Sequence, residues 1–493
     1  MSAHLARQLG LALVHIGIAA TLWGCAPAPA GPPNILLVSL DTFRADRVGA
    51  LGNPDGLTPN LDRFAEDSVV FTHVYSQATL TGPSHASLFT SRYPSEIAGT
   101  SRSPSIGKDM YTLPEVLGTY GYQTAARVAG GDLNPVMGPS RGFDTYTSSI
   151  DFGSLWHTAP LALSWLDQVD PTRPFFLFLH GYDTHSTYLK PTPYGLLYTG
   201  VSTLTPSQQA TLHGTERVLD GRRHPNFDLL ESVAKTTLRP RSADGKARLK
   251  RLADGSRKTV PKVSSKDQEL IRDVYDGAVS YADVQFGLLM AHLEARGRLK
   301  DTVVVVMGDH GEALGEEGLF HRCCSLGDPV THVPLLIHLP DGTGAGRRVD
   351  GMVELVDVMP TILELAGAVA PAGTRGVSLA PAIRGEPFEG RRVAMSQGGN
   401  GMRMISARSA SGRLTYTGVE AIADVLGDVV QAAALPGPAF EALEGTAPAE
   451  QAELRSAMVT WVGSLAASPL QAAIELPPDL RDALREKGYW DAK

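Results

Sequence analysis

Three stretches of the chain are apolar without alternation: Asn34-Ile35-Leu36-Leu37-Val38-Ser39-Leu40, Pro174-Phe175-Phe176-Leu177-Phe178-Leu179-His180 and Thr302-Val303-Val304-Val305-Val306-Met307. A strand with one wet face alternates in polarity. A run that does not alternate suits a strand covered on both faces, as in a parallel sheet. Val333-Pro334-Leu335-Leu336-Ile337 is a fourth such run, and Tyr122 to Val128 reads as a further strand before a loop through Gly142-Phe143-Asp144. Ahead of the third run, Ile271, Val274, Tyr275, Ala278, Ala282, Phe286 and Leu289 fall near one face of a helix, with Gly297 as its stop. Thr58-Pro59-Asn60 opens another helix through Ala65, with Thr58 as cap and Pro59 in the first turn. Buried strands separated by helices predict an α/β fold: a doubly wound, mostly parallel sheet flanked by helices. Ligands of such sheets sit outside the carboxyl ends of the strands. Asp41, Asp183 with His185, and Asp309 with His310 all stand at such ends, so a single polar site is expected there.

One further stretch joins this pattern to chemistry. A β-type run, Val69 to Tyr75, leads into Thr81-Gly82-Pro83-Ser84-His85-Ala86-Ser87-Leu88-Phe89-Thr90. The apolar residues after it suit a buried helix, and Pro83 fits the first helical position, where a missing N–H costs nothing. Thr81 is then expected at or just before the N-cap, beside unpaired amides and the positive end of the dipole. A hydroxyl in that place either caps the helix or faces an anionic ester.

After Gly367 the chain turns rich in Ala, Pro and Gly, then resumes with Arg392-Val393-Ala394-Met395-Ser396 and Arg413-Leu414-Thr415-Tyr416, short strands of a smaller C-terminal α+β subdomain. Helices follow around Glu450 to Leu465 and Pro478 to Lys487. The expected organisation is a signal segment over 1–24, a tether over 25–33, a catalytic domain over 34–385 and the C-terminal subdomain over 386–493. No internal repeat is found.

Composition narrows the class. Of 493 residues 43% are hydrophobic and 19% charged, which is globular, and the net charge of −8 gives no support to nucleic-acid binding. Between Arg222 and Lys266 thirteen Lys/Arg face four acids, Asp228, Glu231, Asp244 and Asp254. That stretch carries +9, leaving −17 for the rest, and reads as a basic surface insertion over about 205–266. It is either a solvated loop or a contact for anionic lipid headgroups or an anionic polymer. At the N-terminus, Arg7 precedes an almost wholly apolar run from Leu9 to Leu22, and Leu22-Trp23-Gly24-Cys25 follows. This is a secretory signal segment resembling a bacterial lipobox, with lipidated Cys25 as the mature terminus. The alternative is an uncleaved membrane anchor. Either way the globular part is exported and held at a membrane of the bacterial envelope, facing the periplasm or on the outer membrane. Beyond Cys25 the cysteines are the adjacent Cys323 and Cys324, better read as two small buried thiols than as a strained disulfide.

Six segments in order resemble the sulfatase family of the alkaline-phosphatase superfamily: Asn34 to Arg47, Thr58 to Phe71, Thr81 to Tyr93, Phe175 to His185, Gly308 to Leu319 and Glu354 to Gly367. The tail, Leu484 to Tyr489, also resembles the usual ending of many members. The resemblance implies a metal at the sheet's carboxyl edge, with Asp41 as first carboxylate ligand and Asp309 and His310 completing the protein set. It places Thr81 at the nucleophile position and matches His185 to a histidine that contacts the ester oxygens. His85 stands where the family's C/S-x-P-S-R element has Arg, Thr42 stands where a second Asp is usual, and Gly130-Gly131-Asp132-Leu133-Asn134 replaces a Gly-Lys-Trp-His segment. Sulfatases proper convert a Cys or Ser to formylglycine, and Thr81 is not a substrate of that conversion. These departures resemble the threonine-nucleophile branch, such as lipoteichoic-acid-synthase-like phosphotransferases.

The expected chemistry follows. One divalent cation, Mn²⁺ or Zn²⁺ favoured by two carboxylates, an imidazole and an alkoxide, with Ca²⁺ or Mg²⁺ compatible, lowers the pKa of Thr81. Thr81 attacks a phosphate- or sulfate-type ester, lipid- or glycan-linked, and His185, with His85, His321 or Arg322, steadies charge or protonates the leaving oxygen. A formylglycine hydrate expels sulfate by collapsing to the aldehyde. A threonine ester needs a second attack, which favours phosphoryl chemistry. The rival readings are a sulfuric ester hydrolase without formylglycine and a catalytically silent glycan-binding surface lipoprotein.

Overall fold

The computed structural model describes residues 31–99, 104–135, 138–149, 153–186, 188–200, 202–204, 265–316, 325–398, 404–417 and 440–465. Pro33–Lys493 forms one unit, and every element named below lies in it. The signal segment, nearly all of the basic insertion, His321, Arg322, Cys323, Cys324 and the expected Pro478 to Lys487 helix lie outside the described residues. Among the described residues no helix is long and apolar enough to cross a membrane.

In chain order the first half contains β1 (Asn34–Leu40), α1 (Pro59–Glu66), β2 (Val69–Phe71), β3 (Val74–Tyr75) and α2 (Thr81–Thr90). Next come the short pair β4 (Ala98–Gly99) and β5 (Pro104–Ser105), then α3 (Leu113–Thr119), β6 (Gln123–Val128), β7 (Thr145–Ser148), α4 (Leu155–Leu166) and β8 (Phe175–Gly181). The second half contains α5 (Ser265–Ala295), β9 (Thr302–Gly308), α6 (Asp328–Thr331), β10 (Leu335–His338), β11 (Arg348–Val349), β12 (Val353–Glu354), α7 (Val358–Leu365) and α8 (Ala380–Arg384). The chain then forms β13 (Ala394–Gly398), β14 (Met404–Arg408), β15 (Arg413–Thr417), β16 (Phe440–Ala442) and α9 (Pro448–Leu465).

The three unbroken apolar runs are the centre of an eight-stranded sheet, ordered β11-β2-β10-β9-β1-β8-β6-β7. β1 lies between β9 and β8, parallel to both, with Leu40 level with Gly308 on one side and Gly181 on the other. The fourth run is displaced and reversed: its strand starts at Leu335, past Pro334, and pairs antiparallel with β9 and β2. Pro334 has no N–H to give a ladder, which is a reason for the later start.

Side chains of a strand alternate between faces, so the runs bury two cores. Ile35, Leu37, Phe176, Phe178, Val303, Val305 and Met307 pack against α2, α3, α7 and α8. Leu36, Val38, Leu40, Phe175, Leu177, Leu179, Val304 and Val306 pack against α1, α4 and α5. At about 25 cal/mol per Å² of apolar area removed from water, strands covered on both faces contribute strongly to stability. The α5 face predicted from periodicity is the buried one, and Gly297, with φ +65°, ends that helix by donating to Glu294. A separate antiparallel sheet, β13-β14-β15-β16, packs with α9 around Met395, Ile405, Leu414, Tyr416, Met458 and Trp461. The mostly parallel, helix-flanked sheet with a small C-terminal antiparallel sheet is the fold class read from the sequence.

Candidate active site

Register builds the site. The face carrying Leu37 and Met307 continues through Ser39 to Asp41 on β1, through Met307 to Asp309 on β9, and through Phe178 to His180 on β8. It is the face against which α2 packs. The opposite parity takes Asp183 to the other side. Its Oδ2 accepts the N–H of Leu155 at 2.8 Å, at the start of α4. Gly181 makes that possible, because a Cβ there would lie 2.3 Å from the Asp183 carboxylate. Asp183, grouped by sequence with the polar strand ends, is therefore bonded to a helix terminus rather than to the cluster. Burial pushes its pKa up to about 6 against the opposing Leu155 bond and Lys190.

α2 begins at Thr81 itself, with Leu80 as N-cap, so Pro83 is the third helical residue and not the first. A proline still costs nothing there, since the first-turn amides have no intrahelical partner. All ten residues of α2 are buried. Thr81 Oγ1 donates to Asp41 Oδ2 at 2.7 Å and lies 3.5 Å from His310 Nε2. Ser84, one turn on, donates to the carbonyl of Asp309 at 2.7 Å, as does Ser76 at 2.5 Å. Two hydroxyls thus fix the end of β9, one to the first turns of α2 and one to the segment after β3.

Each acid is held by one oxygen. Asp309 Oδ1 accepts N–H groups from Thr42 (3.1 Å) and His310 (2.8 Å), while its Oδ2 faces His310 Nε2 at 3.6 Å. Asp41 Oδ2 takes the Thr81 hydroxyl, and Asp41 Oδ1 has no hydrogen-bond partner among the described residues. Burial alone would raise the Asp41 pKa. The imidazoles of His180, His185 and His310 outweigh it and hold this carboxyl well below the ordinary range. His310 Nδ1 lies 2.9 Å from the carbonyl of Gly311. A carbonyl only accepts, so Nδ1 carries the hydrogen and Nε2 turns its lone pair to the cluster. Oxygens of Asp41 and Asp309 and a nitrogen of His310 lie within 4.8 Å of one another, all fully buried. Two hard oxygens and one borderline nitrogen at this spacing can hold a divalent cation.

His85 occupies a different role from the cation its position suggests. Nδ1 donates to the Thr81 carbonyl at 2.8 Å, which leaves Nε2 to accept from the Ser39 hydroxyl at 2.9 Å. Burial, then the neighbouring His180, lower its pKa to about 3, so the ring is neutral. It ties the first turn of α2 to β1. Thr42 presents no ligand oxygen to the cluster, because its hydroxyl turns back to the Asp41 carbonyl at 2.7 Å. Its φ of 56° is unusual for a β-branched residue. Tyr275 of α5 braces this turn by donating to the Thr42 carbonyl at 2.6 Å. His185 is buried beside Tyr182, ring centroids 5.0 Å apart, with Nδ1 toward the carbonyl of Ser186. His321 and Arg322 lie outside the described residues.

His180, Ser39, Ser76 and Ser84 carry no site signal in the sequence, and Tyr275 is read there only as a helix-face residue. His180 ends the run Phe175–Leu179 and passes for its last strand residue. Only its pairing with Ser39 sets it beside Asp41, where Nε2 comes within 3.4 Å of Oδ2.

Comparison with known proteins agrees with this architecture. Residues 33–368 match the family described as Sulfatase. N-acetylglucosamine-6-O-sulfatase of Bacteroides thetaiotaomicron is 25% identical over 416 residues, covering 73% of each chain. The multifunctional alkaline phosphatase superfamily protein PehA of Trinickia caryophylli is 24% identical over 423 residues, covering 73% of this chain and 78% of its own. Among solved structures, phosphonate monoester hydrolase of Agrobacterium radiobacter superposes with a TM-score of 0.63 at 19% identity, over 88% of this chain and 95% of that one. A protein solved with its substrate D-glucosamine-2-N,6-O-disulfate gives 0.62 at 19% identity, over 93% and 98%. With the match spanning the whole central sheet and the polar edge above it, the chain belongs to the sulfatase family and is a sulfatase-like ester hydrolase.

Proposed function

We propose that this hydrolase is metal-dependent and cleaves or transfers phosphate-type esters through a covalent ester on Thr81. The observation that carries the reading is the 2.7 Å bond from Thr81 Oγ1 to Asp41 Oδ2, made by the first residue of a buried helix inside a cluster of two carboxylates and an imidazole. A divalent cation fits that cluster. Asp41, whose Oδ1 has no partner among the described residues, Asp309 and His310 would hold it, with Thr81 alongside. Mn²⁺ or Zn²⁺ suits a mixed nitrogen and oxygen set better than Ca²⁺ or Mg²⁺. When bound, the ion supplies Lewis-acid polarisation of a non-bridging ester oxygen and a more acidic Thr81 hydroxyl.

The chain's own groups do the rest. Asp41 Oδ2 accepts the Thr81 proton's hydrogen bond and so aims the oxygen lone pairs away from itself. The α2 N-terminus favours the anionic ester. Thr81 Oγ1, its proton given up to solvent, bonds to phosphorus as the bond to the leaving oxygen breaks, and that oxygen takes a proton from His185, with His321 or Arg322 next to it in role. Water, or an alcohol acceptor, then attacks the same phosphorus and gives its proton to the now neutral His185, and Thr81 leaves as the oxyanion that began the cycle.

Threonine has no aldehyde to collapse to, so its ester needs that second displacement. This favours phosphorus over sulfur. The reading of a sulfuric ester hydrolase is kept because relatives of this chain are named as sulfatases. Export and anchoring through lipidated Cys25 belong to the same proposal, with an anionic ester of a lipid or glycan as substrate. The test is to compare an aryl phosphate, a phosphodiester and an aryl sulfate, and to trap the enzyme on the slowest phosphoester for mass spectrometry. A phosphoryl adduct on the Thr81 peptide is expected. Full activity in Thr81→Ala, or turnover of the sulfate alone, overturns the reading.

A further inference from the structure

We infer that His180 is a direct ligand of the cation and takes the donor place that Thr42 does not fill. The inference rests on the metal reading above. Three observations point the same way. First, Thr42 has turned its hydroxyl onto its own chain, to the Asp41 carbonyl, and its N–H to Asp309 Oδ1, so the residue after Asp41 offers the cluster nothing. Second, the imidazole of His180 is fully buried and neither ring nitrogen has a hydrogen-bond partner among the described residues. Buried polar atoms are nearly always satisfied, so a ring whose Nδ1 has no partner among the described residues and whose Nε2 faces only the Asp41 carboxylate, off line, calls for an explanation. Third, His180 Nε2 stands 3.4 Å from Asp41 Oδ2 without the alignment of a hydrogen bond, and the partnerless oxygen of that same carboxylate is Oδ1. Ligand atoms of one small cation are spaced on this scale, since each lies about 2.0–2.2 Å from the metal.

The ring is also held as a ligand should be. It ends a central strand and is packed edge-on between His85, 5.0 Å away, and Tyr182, 4.8 Å away. His85 is the poorer candidate, although it too converges on Asp309 with His180. One of its nitrogens gives its hydrogen to Thr81 and the other is occupied by Ser39. His180 meets Asp41 at 3.4 Å and groups with Asp309 and His85 rather than with His310, so on this inference ion binding draws its ring toward His310; the set is then two carboxylates and two imidazoles, which moves preference further toward Zn²⁺ and away from Ca²⁺.

The experiment loads the full-length metal-free protein with Zn²⁺ and reads the coordination by X-ray absorption, with affinity from a competing chelator. One Zn²⁺ per chain with two imidazole nitrogens is expected, falling to one imidazole in His180→Gln with affinity weaker by about 100-fold or more, beyond the 10–100-fold of an outer-shell change. The metal-free His180→Gln protein should melt no lower than wild type, while its gain in Tm on adding Zn²⁺ shrinks. A merely packing role would lower the metal-free Tm and leave the coordination alone. His180→Asn serves if the Gln variant does not fold. Thr42→Asp added to His180→Gln should restore much of the affinity by returning a carboxylate. A single imidazole in wild type, an unchanged affinity in the variants, or two Zn²⁺ per chain overturns the inference while leaving the metal reading intact. No Zn²⁺ or Mn²⁺ bound to wild type sinks that reading itself.

Discussion

Thr81 shows how much one side chain depends on its support. Its hydroxyl is aimed by Asp41, its carbonyl is held by His85, and its helix is pinned to β9 by Ser84. On the proposed function, in which Thr81 is the nucleophile, Thr81→Ala is expected to lower kcat by about 10³-fold or more, while Thr81→Ser keeps the oxygen and retains measurable turnover. Steady-state kinetics on an aryl phosphate reads both. His85→Leu removes the two hydrogen bonds that place the first turn of α2. A displacement of order 1 Å costs roughly 10²-fold in rate, so kcat should fall by about that factor with metal content unchanged by elemental analysis. Unchanged kcat would mean that the ring only fills space.

At the scale of elements, Asp183 fastens the start of α4 to the loop after β8 and is the clearest source of pH dependence outside the cluster. Its carboxyl rises from 3.8 to about 6 through burial. The native state therefore binds a proton more readily than the unfolded chain between those values. Stability from this group is present below about 4 and is lost as pH rises to about 6, by on the order of 2–3 kcal/mol. Asp183→Asn keeps an acceptor for Leu155 and removes the charge. The variant should be more stable than wild type at pH 7.5 and lose that part of the pH slope, as urea melts at pH 4.5 and 7.5 would read. Elements were also where sequence spoke most plainly. Continuous runs such as Val303 to Val306 suited doubly covered strands and are such strands, and α5 announced its buried face. What pattern could not supply was register. It takes the pairing of Leu40 with Gly308 to set Asp41 beside Asp309, and of Ser39 with His180 to bring that ring in from an apolar run. Parity sent Asp183 to the far face for the same reason. The reversal of β10 was hidden as well, since a short apolar run carries no direction.

At the scale of the whole molecule, a buried acid stands where the C-terminal sheet meets the central domain. Glu354, at the end of β12, accepts the Tyr93 hydroxyl (2.7 Å) and the Met395 N–H of β13 (2.7 Å) and pairs with Arg391 at 3.3 Å. Arg391 also bonds Asp357, whose Oδ2 accepts the Glu354 N–H. Tyr93 in turn meets Trp461 of α9 edge-on at 5.0 Å. One residue of the central domain thus contacts, directly or through one neighbour, both layers of the C-terminal part. Burial raises the Glu354 pKa, and Arg391 is the main influence opposing it. Arg391→Ala leaves two buried carboxylates without their cation, which costs about 3–5 kcal/mol for a broken buried pair. The sign with pH follows from the burial of the carboxyl, which no cation then offsets. In the variant the folded Glu354 binds a proton more readily than the unfolded chain, so the loss is partly relieved on acidification and is largest above neutrality. The difference in Tm between wild type and Arg391→Ala should therefore be wider at pH 8 than at pH 5.5. Arg391→Ala with Glu354→Gln should recover part of it at pH 8, because the amide still accepts from Met395 without a charge to compensate. A gap independent of pH would assign the loss to packing of the Arg391 stem instead.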